Sequence, residues 1–196
     1  MAAIPGRSLP LRRRTVILPL LAACLLLAVF GVGLQCAAGT AVYVVDGDTF
    51  HLRVDSPLNW GADCPVAAGQ TYRVRLIGVD TPEVYGDVEC YGPEASAYAR
   101  SLLEGRGVCL MRDISCTDFF GRLLAYVWVD TDPSNPGCET FLNGDLAWRG
   151  YANAASYPPD TLLLASLRAS ECDAYRHGRG MWSACPGLVP PAGCLP

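Results

Sequence analysis

The chain contains no lysine, and all of its positive charge comes from 15 arginines. It has only two histidines and no Cys-x-x-Cys pair, which argues against a Cys/His zinc module. No acidic residue precedes Asp46, whereas four arginines lie within the first 14 residues. Without that basic stretch, 11 arginines oppose 19 acidic residues, a net charge of −8. Because phosphate neutralisation drives non-specific DNA affinity, this balance argues against tight non-specific DNA binding. It permits a site whose charge comes from a metal and a few placed arginines.

Cysteine, by contrast, is abundant. Ten cysteines in 196 residues exceed what a cytosolic protein usually carries, and this predicts an oxidising compartment. Cleavage before Thr40 would remove two of them and leave an even set that permits four disulfides. The pairing stays open, and buried free thiols are the alternative. The eight remaining cysteines are Cys64, Cys90, Cys109, Cys116, Cys138, Cys172, Cys185 and Cys194.

The N-terminal segment has the pattern of a targeting sequence. Three arginines at 12–14 precede an apolar run at 15–34, which is typical of a signal peptide or of an uncleaved membrane anchor. Arginines before the run place the following domain outside in either case, so the protein is expected to be secreted, periplasmic or anchored to the outer face of the membrane. The small residues Ala37-Ala38-Gly39 predict cleavage before Thr40. We therefore expect a signal peptide or anchor at 1–39, a folded domain at 40–185 and an irregular Pro/Gly-rich tail at 186–196.

Short alternating runs predict five strands. Asp46-Gly47-Asp48 separates β-rich runs at 41–45 and 49–54, as in a β-hairpin. Residues 72–79 alternate polar and apolar side chains, as in a half-buried strand. Further strands are expected at 108–112 and 123–129.

Three segments have helical patterns. Pro93 suits the first turn of a helix that ends before the glycines at 105 and 107. A short helix is expected within 140–149, and Asp160 is the expected N-cap of a longer one that reaches about His177. This order predicts an α+β, mainly β protein: a five-stranded OB-fold barrel with three helices.

Carboxylates and arginines stand at the ends of the expected strands. Asp48 lies in the hairpin turn, and Asp80 and Glu83 flank a Thr-Pro turn. Carboxylates in tight turns suit a hard cation such as calcium. Arg75 and Arg122 nearby suit phosphate handling. Each residue also fits an ordinary role as a turn former, helix cap or salt-bridge partner, but their joint occurrence favours a site.

Four motifs resemble successive signatures of the staphylococcal (micrococcal) nuclease family. They are DGDT at 46–49, RLIGVDTPE at 75–83, YGPEA at 91–95 and DFFGRLLAY at 118–126. The resemblance covers about residues 41–183, and its RLIGVDTPE block is the specific part. It implies calcium ligands at Asp48, Asp80 and the Thr81 backbone carbonyl, a supporting carboxylate at Asp46, a water-activating or water-orienting Glu83, and phosphate-gripping Arg75 and Arg122.

The chain departs from the family pattern where substrate is held. Phe119 and Phe120 stand where the family prototype has Lys-Tyr, and the loop after the Thr-Pro-Glu motif is short and acidic. These changes predict intact chemistry with weaker or altered substrate binding. Aromatic side chains stack on splayed bases, although such residues also serve in ordinary packing. The candidates for substrate stacking are Phe119, Phe120, Tyr85 and Tyr157.

The resemblance therefore implies an exported, monomeric, Ca²⁺-dependent nuclease that acts on DNA or RNA and leaves 3′-phosphates. One alternative is a catalytically silent OB-fold module that binds nucleic acid or another ligand outside the cell. Another is a structural domain stapled by cysteines. Loss of Glu83 or of either arginine would favour these alternatives, and none of the three is lost.

Overall fold

The computed structural model describes residues 35–132 and 137–194, which belong to one structural unit. The apolar run at 15–34, expected as signal or anchor, lies outside the described residues. Within the described part, no helix combines the length and apolarity needed to cross a membrane.

Ten strands and four helices are found in the described ranges. The strands are β1 (Gln35–Val44), β2 (Thr49–Val54), β3 (Leu58–Asn59), β4 (Pro65–Val66), β5 (Thr71–Leu76), β6 (Val79–Asp80), β7 (Gly107–Met111), β8 (Leu123–Val129), β9 (Thr140–Phe141) and β10 (Asn153–Ala154). The helices are α1 (Gly92–Leu103), α2 (Leu142–Arg149), α3 (Leu164–Arg176) and α4 (Met181–Ala184).

Five of the strands form a closed barrel. Their order is β5-β2-β1-β7-β8, and β8 returns to pair with β5 in parallel, while the other barrel pairs are antiparallel. This confirms the expected five-stranded OB-fold barrel. The barrel has no free edge between these strands, because the first and last members pair with each other.

The barrel interior is filled by alternate side chains of each strand. Phe50 and Leu52 on β2 and Val74 and Leu76 on β5 are almost fully buried. Successive residues of a strand face opposite sides of the sheet. Arg75, between two inward-facing residues, is therefore directed to the other face of β5.

The helices cover the outside of the barrel. The first helix has Pro93 in its opening turn, as expected, and buries Ala95, Ala99 and Leu103. Helix α3 begins at Leu164, so the expected N-cap role of Asp160 is wrong. The Asp160 carboxylate instead accepts hydrogen bonds from the backbone N–H groups of a segment 45 residues earlier in the chain.

Four disulfides join all eight of the cysteines expected to remain after cleavage. The expectation of an even, fully paired set is therefore confirmed. The sequence separations of the pairs run from 22 to 95 residues, so the bridges connect distant segments. The pairs are Cys64–Cys116, Cys90–Cys185, Cys109–Cys138 and Cys172–Cys194.

Candidate active site

Strand pairing brings three separated segments to one end of the barrel. Thr49, at the start of β2, is opposite Arg75 near the end of β5. Arg75 is in turn opposite Leu124 of β8. The Asp46–Asp48 turn and Arg122 precede β2 and β8 directly, so both lie at the end of the barrel where β5 finishes.

Asp48 is held rigidly in a buried position. Its side chain is 2% exposed, and its Oδ2 accepts hydrogen bonds from the Thr81 backbone N–H at 3.0 Å and the Thr81 hydroxyl at 3.2 Å. Its Oδ1 accepts a hydrogen bond from the Thr49 hydroxyl at 3.0 Å. These bonds attach the hairpin turn to the Thr-Pro turn that carries Asp80 and Glu83.

Gly47 allows the two turns to meet. A Cβ atom at this position would lie 2.7 Å from the Thr81 side chain, closer than van der Waals contact permits. The Asp-Gly pair predicted a hairpin turn from its local conformation. The structure adds a second requirement, since the absence of a side chain lets Thr81 reach the Asp48 carboxylate.

The Arg75 guanidinium joins two of the expected metal ligands. One terminal nitrogen pairs with Asp48 Oδ1, and the other pairs with Asp80 Oδ1 at 2.6 Å and donates to the Val79 carbonyl at 3.2 Å. Asp48 and Asp80 are therefore close enough to share one cationic group. This convergence places two acidic side chains and one arginine together at the rim of the barrel.

Arg122 approaches the same end of the barrel through Thr49. Its Nη1 donates to the Thr49 hydroxyl at 3.5 Å, and its Nε donates to Asp118 Oδ2 at 2.6 Å. Burial raises the pKa of Asp118, but hydrogen bonds from the Arg122 backbone and guanidinium outweigh that effect and hold the pKa below its usual value. Asp118 is thus ionised when it orients Arg122.

Asp118 is a candidate site residue that the sequence analysis did not single out. Its Oδ1 accepts the backbone N–H groups of Phe120 and Arg122, each at 2.9 Å, which closes a tight turn. An Asp that begins such a turn is a recognisable local signal. Its second role, orienting the arginine, appears only when the side chains are in place.

Asp46 lies beside this network. One of its carboxylate oxygens accepts the Asp48 backbone N–H at 3.1 Å. Burial raises the pKa of Asp46, and the nearby positive charges of Arg75 and Arg122 offset the shift only in part. The hydrogen bond to this carboxylate fixes the Asp48 turn, while its expected role beside a metal stays a prediction.

Glu83 is placed next to the site but does not contact it. Its side chain is exposed, and among the described residues its carboxylate makes no hydrogen bond or ion pair. Its backbone is held by Glu89, whose Oε2 accepts the Glu83 N–H at 3.0 Å and whose N–H donates to the Glu83 carbonyl at 2.9 Å. The structure thus leaves this carboxylate available to a ligand.

The four candidate stacking residues are all at the surface. Phe119 and Phe120 are 97% and 78% exposed at the tip of the turn closed by Asp118, with the Phe120 ring 5.6 Å from the Arg122 guanidinium carbon. Tyr85 is exposed and donates to the Val45 carbonyl at 3.1 Å. Tyr157 is also exposed. Burial in the core does not explain these aromatics.

A cavity of about 210 Å³ opens between the arginines and Tyr157. One part of its wall is cationic, another is aliphatic, and a third is acidic, which suits a ligand that combines an anion with a flat apolar group. Its lining residues are Arg75, Leu76, Ile77, Asp118, Arg122, Leu124, Tyr157 and Asp160.

The donor atoms at this rim fit a hard cation. Calcium prefers carboxylate and carbonyl oxygens, and Asp48 and Asp80 already direct carboxylate oxygens towards one positive group. In the described ranges, no three His, Cys, Asp or Glu side chains are grouped closely enough to hold a metal by themselves. A bound ion would therefore need further oxygens, and the Thr81 carbonyl is the expected one.

Fold and site together define a class: an OB-type barrel with paired carboxylates and arginines beside a cavity at its rim. Comparison with known proteins gives the family. Residues 73–184 match the family model described as "Staphylococcal nuclease homologue". The chain is 35% identical to the thermonuclease of Staphylococcus intermedius over 142 residues, 71% of this chain and 72% of the relative.

Two further relatives support the same family assignment. Identity is 32% over 145 residues to the thermonuclease of Staphylococcus hyicus, covering 72% of this chain and 73% of the relative. Identity to endonuclease YncB of Bacillus subtilis is 31% over 143 residues, which cover 71% of this chain and 58% of the relative. The chain belongs to the staphylococcal nuclease family, as the motifs implied.

Proposed function

We propose that this chain is an exported, calcium-dependent nuclease that hydrolyses phosphodiester bonds of DNA and RNA and leaves 3′-phosphates. The observation that carries the proposal is the Arg75 guanidinium held between Asp48 and Asp80, with the Arg122 guanidinium oriented towards the same rim. Membership of a nuclease family and relatives named thermonuclease and endonuclease support it.

The two arginines hold the scissile phosphate. Guanidinium groups form paired, charge-assisted hydrogen bonds with phosphate oxygens, and these strengthen as negative charge grows during the reaction. Asp118 orients Arg122 by one edge, through Nε, and leaves its terminal nitrogens for the substrate, apart from the long contact to Thr49. Arg75 uses three of its five N–H donors on Asp48, Asp80 and the Val79 carbonyl, so the remaining donors serve a phosphate oxygen.

Calcium bound by Asp48, Asp80 and the Thr81 carbonyl would supply the positive charge that stabilises the phosphoryl oxygens. Glu83 orients or deprotonates the attacking water, since its exposed carboxylate has no competing partner in the described part of the chain. Asp48 is fixed in place through its hydrogen bonds from Thr81 and Thr49.

Substrate binding outside the reacting centre relies on stacking more than on charge. Phe119 and Phe120 project beside Arg122 on a turn that three hydrogen bonds to Asp118 hold in place. Base–aromatic stacking is worth about 1–3 kcal/mol per base and needs no lysine. Tyr157 and Tyr85 extend this aromatic surface on other parts of the rim.

Export is supported by the four disulfides, which persist in oxidising compartments. In this proposal residues 1–39 serve as signal peptide or membrane anchor, 40–185 form the nuclease domain and 186–196 form a tail. N-terminal sequencing of the protein recovered outside the cell distinguishes a cleaved segment from a retained one.

The central test is a cleavage assay on single- and double-stranded DNA and on RNA, with calcium or with a chelator, followed by analysis of the product ends. We expect cleavage with calcium, none with chelator, and 3′-phosphate ends. Arg122→Ala and Glu83→Gln should each lower turnover by about 10²–10³-fold. Arg149→Ala, which removes an arginine paired with Asp145 on α2, is the matched control and should leave turnover unchanged. Wild-type turnover in the Arg122 or Glu83 variant would refute the role assignment.

A further inference from the structure

The wall of the cavity carries a carboxylate that the chemistry above does not use. Asp160 is 5% exposed, and its Oδ1 accepts the backbone N–H groups of Ile114 at 2.9 Å and Ser115 at 2.7 Å. Within the described residues no hydrogen bond is made to its Oδ2. This oxygen is not fully enclosed by the protein. Asp160 also lines the cavity, and we infer that Oδ2 is the acceptor it presents there.

The other lining residues give the cavity a cationic part and an apolar part. Arg75 and Arg122 provide the cationic part, and aliphatic side chains with the Tyr157 ring provide the apolar part. The second carboxylate of the lining, Asp118, already binds Arg122 and the turn through both oxygens. Asp160 is therefore the lining carboxylate whose second oxygen is free for a ligand.

These three environments correspond to the parts of a nucleotide. A phosphate pairs with guanidinium groups, the faces of a base contact aliphatic and aromatic side chains, and the edge of a base presents hydrogen-bond donors and acceptors. The negative charge of Asp160 also repels phosphate. A nucleotide in the cavity is thus oriented with its phosphate at the arginines and its base edge at Asp160.

We propose that Asp160 selects the base bound in this cavity, favouring bases with an exocyclic amino group over thymine and uracil. The inference rests on the proposed nuclease function and names a specificity residue for it. An ionised carboxylate accepts hydrogen bonds and donates none. Adenine, guanine and cytosine offer it an amino group, whereas thymine and uracil offer one N–H between two carbonyl oxygens that a carboxylate repels.

The substitution Asp160→Asn isolates this effect. The amide keeps an acceptor oxygen for the N–H groups of Ile114 and Ser115 and replaces the free acceptor by an NH₂ donor. Asp113→Asn is the matched control, because the Asp113 carboxylate accepts the Leu162 N–H at 2.8 Å and the Tyr126 hydroxyl at 3.2 Å. It connects the same parts of the chain as Asp160 but does not line the cavity.

The primary measurement is calorimetric binding of dAMP, dGMP, dCMP and dTMP to the wild-type protein in calcium buffer. We expect the three amino-bearing nucleotides to bind about fivefold or more tightly than dTMP, as expected for one good base contact. Asp160→Asn should abolish or reverse this ratio, and Asp113→Asn should keep it. Equal wild-type affinities for dAMP and dTMP would overturn the proposal, and this result needs no variant to fold.

The second measurement is the base frequency beside cleavage sites in a random single-stranded DNA library. Wild type should favour amino-bearing bases at one position relative to the cut, and Asp160→Asn should lose that preference. An unchanged preference in a folded, active Asp160→Asn variant would also overturn the proposal. Selective nucleotide binding without any cleavage would support it while refuting the nuclease function, so the two failures are distinguishable.

Discussion

At the scale of single residues, Arg75 is the cation that pairs with two carboxylates at the rim of the barrel. Its guanidinium forms ion pairs with Asp48, which is 2% exposed, and with Asp80. A buried carboxylate that loses its partner costs several kcal/mol, whereas an exposed ion pair contributes little. Arg75 therefore contributes to the stability of the free protein in addition to its proposed binding of phosphate.

This dual role predicts a stability defect in Arg75→Ala. In chelator we expect the free energy of unfolding to fall by about 3 kcal/mol, because Asp48 stays buried without a counter-charge. Added calcium should restore part of the loss, since a bound cation replaces the missing charge. Urea denaturation measures both. Arg53→Ala, which breaks an exposed pair with Asp55, is the control and should cost less than about 1 kcal/mol.

Glu171 provides a prediction of pH dependence away from the site. It is buried on α3, and burial raises the pKa of its carboxyl group against the opposing effect of a hydrogen bond from the Ala154 backbone. A carboxyl whose folded pKa is raised binds protons more readily when folded, so its ionisation lowers stability as pH rises through that pKa.

We therefore expect Glu171→Gln to raise the melting temperature at pH 7. The gain should shrink as pH falls and vanish below the pKa of an unfolded glutamate, about 4.3, where both proteins carry a neutral group. Thermal unfolding of both proteins between pH 3 and pH 8 checks the sign. A gain that is independent of pH would show that ionisation of Glu171 is not its cause.

At the scale of elements, the disulfides differ in what they hold. Cys116 lies two residues before Asp118, and its carbonyl accepts the Leu124 N–H at 3.0 Å, so the Cys64–Cys116 bridge anchors the turn that carries Phe119, Phe120 and Arg122. The Cys172–Cys194 bridge instead joins α3 to the C-terminal tail.

This difference predicts separable effects of removing the two bridges. By loop length, loss of Cys64–Cys116 should cost about 4 kcal/mol and loss of Cys172–Cys194 about 3 kcal/mol, so the two double-alanine variants are nearly matched in stability. Only the first should raise KM for single-stranded DNA, because the substrate-contacting turn loses its anchor. Steady-state kinetics well below both melting temperatures tests this, and an equal rise in both variants would contradict it.

At the scale of the whole molecule, the charge balance sets how substrate is bound. The chain after its basic N-terminal stretch carries a net charge of −8 and no lysine. Long-range attraction of DNA is therefore absent, and the positive charge that meets phosphate is concentrated at Arg75 and Arg122. In the proposed function, stacking on exposed aromatics supplies affinity that does not depend on salt.

The expected consequence is a weak dependence of binding on ionic strength. With about two phosphates neutralised, the logarithm of the binding constant for single-stranded DNA should fall with the logarithm of salt concentration with a slope of about −1.4. Fluorescence anisotropy at fixed calcium between 50 mM and 400 mM salt, roughly the range over which such slopes are measured, provides the data. A slope steeper than about −4 would indicate many phosphate contacts and refute the two-arginine description.

The sequence by itself determined the five barrel strands, three of the helices and the identity of most rim residues, though not of Asp118. Alternation and turn residues are local properties, so the strands around Asp46–Asp48, the helix after Pro93 and the even set of cysteines could be predicted from it. The strand expected at 72–79 ends at Leu76, because the chain turns at residues 77–78 before β6. The family motifs added the class of chemistry, because they preserve a set of residues in order.

Tertiary structure alone decided which groups meet. Disulfide pairing, the Arg75 bridge between Asp48 and Asp80, and the second role of Asp118 depend on strand register and on contacts between distant segments, which no local pattern encodes. Asp160 shows the reason most clearly. Its sequence context favours a helix N-cap, but the N–H groups of Ile114 and Ser115 lie within reach in the folded chain and the start of α3 does not use it.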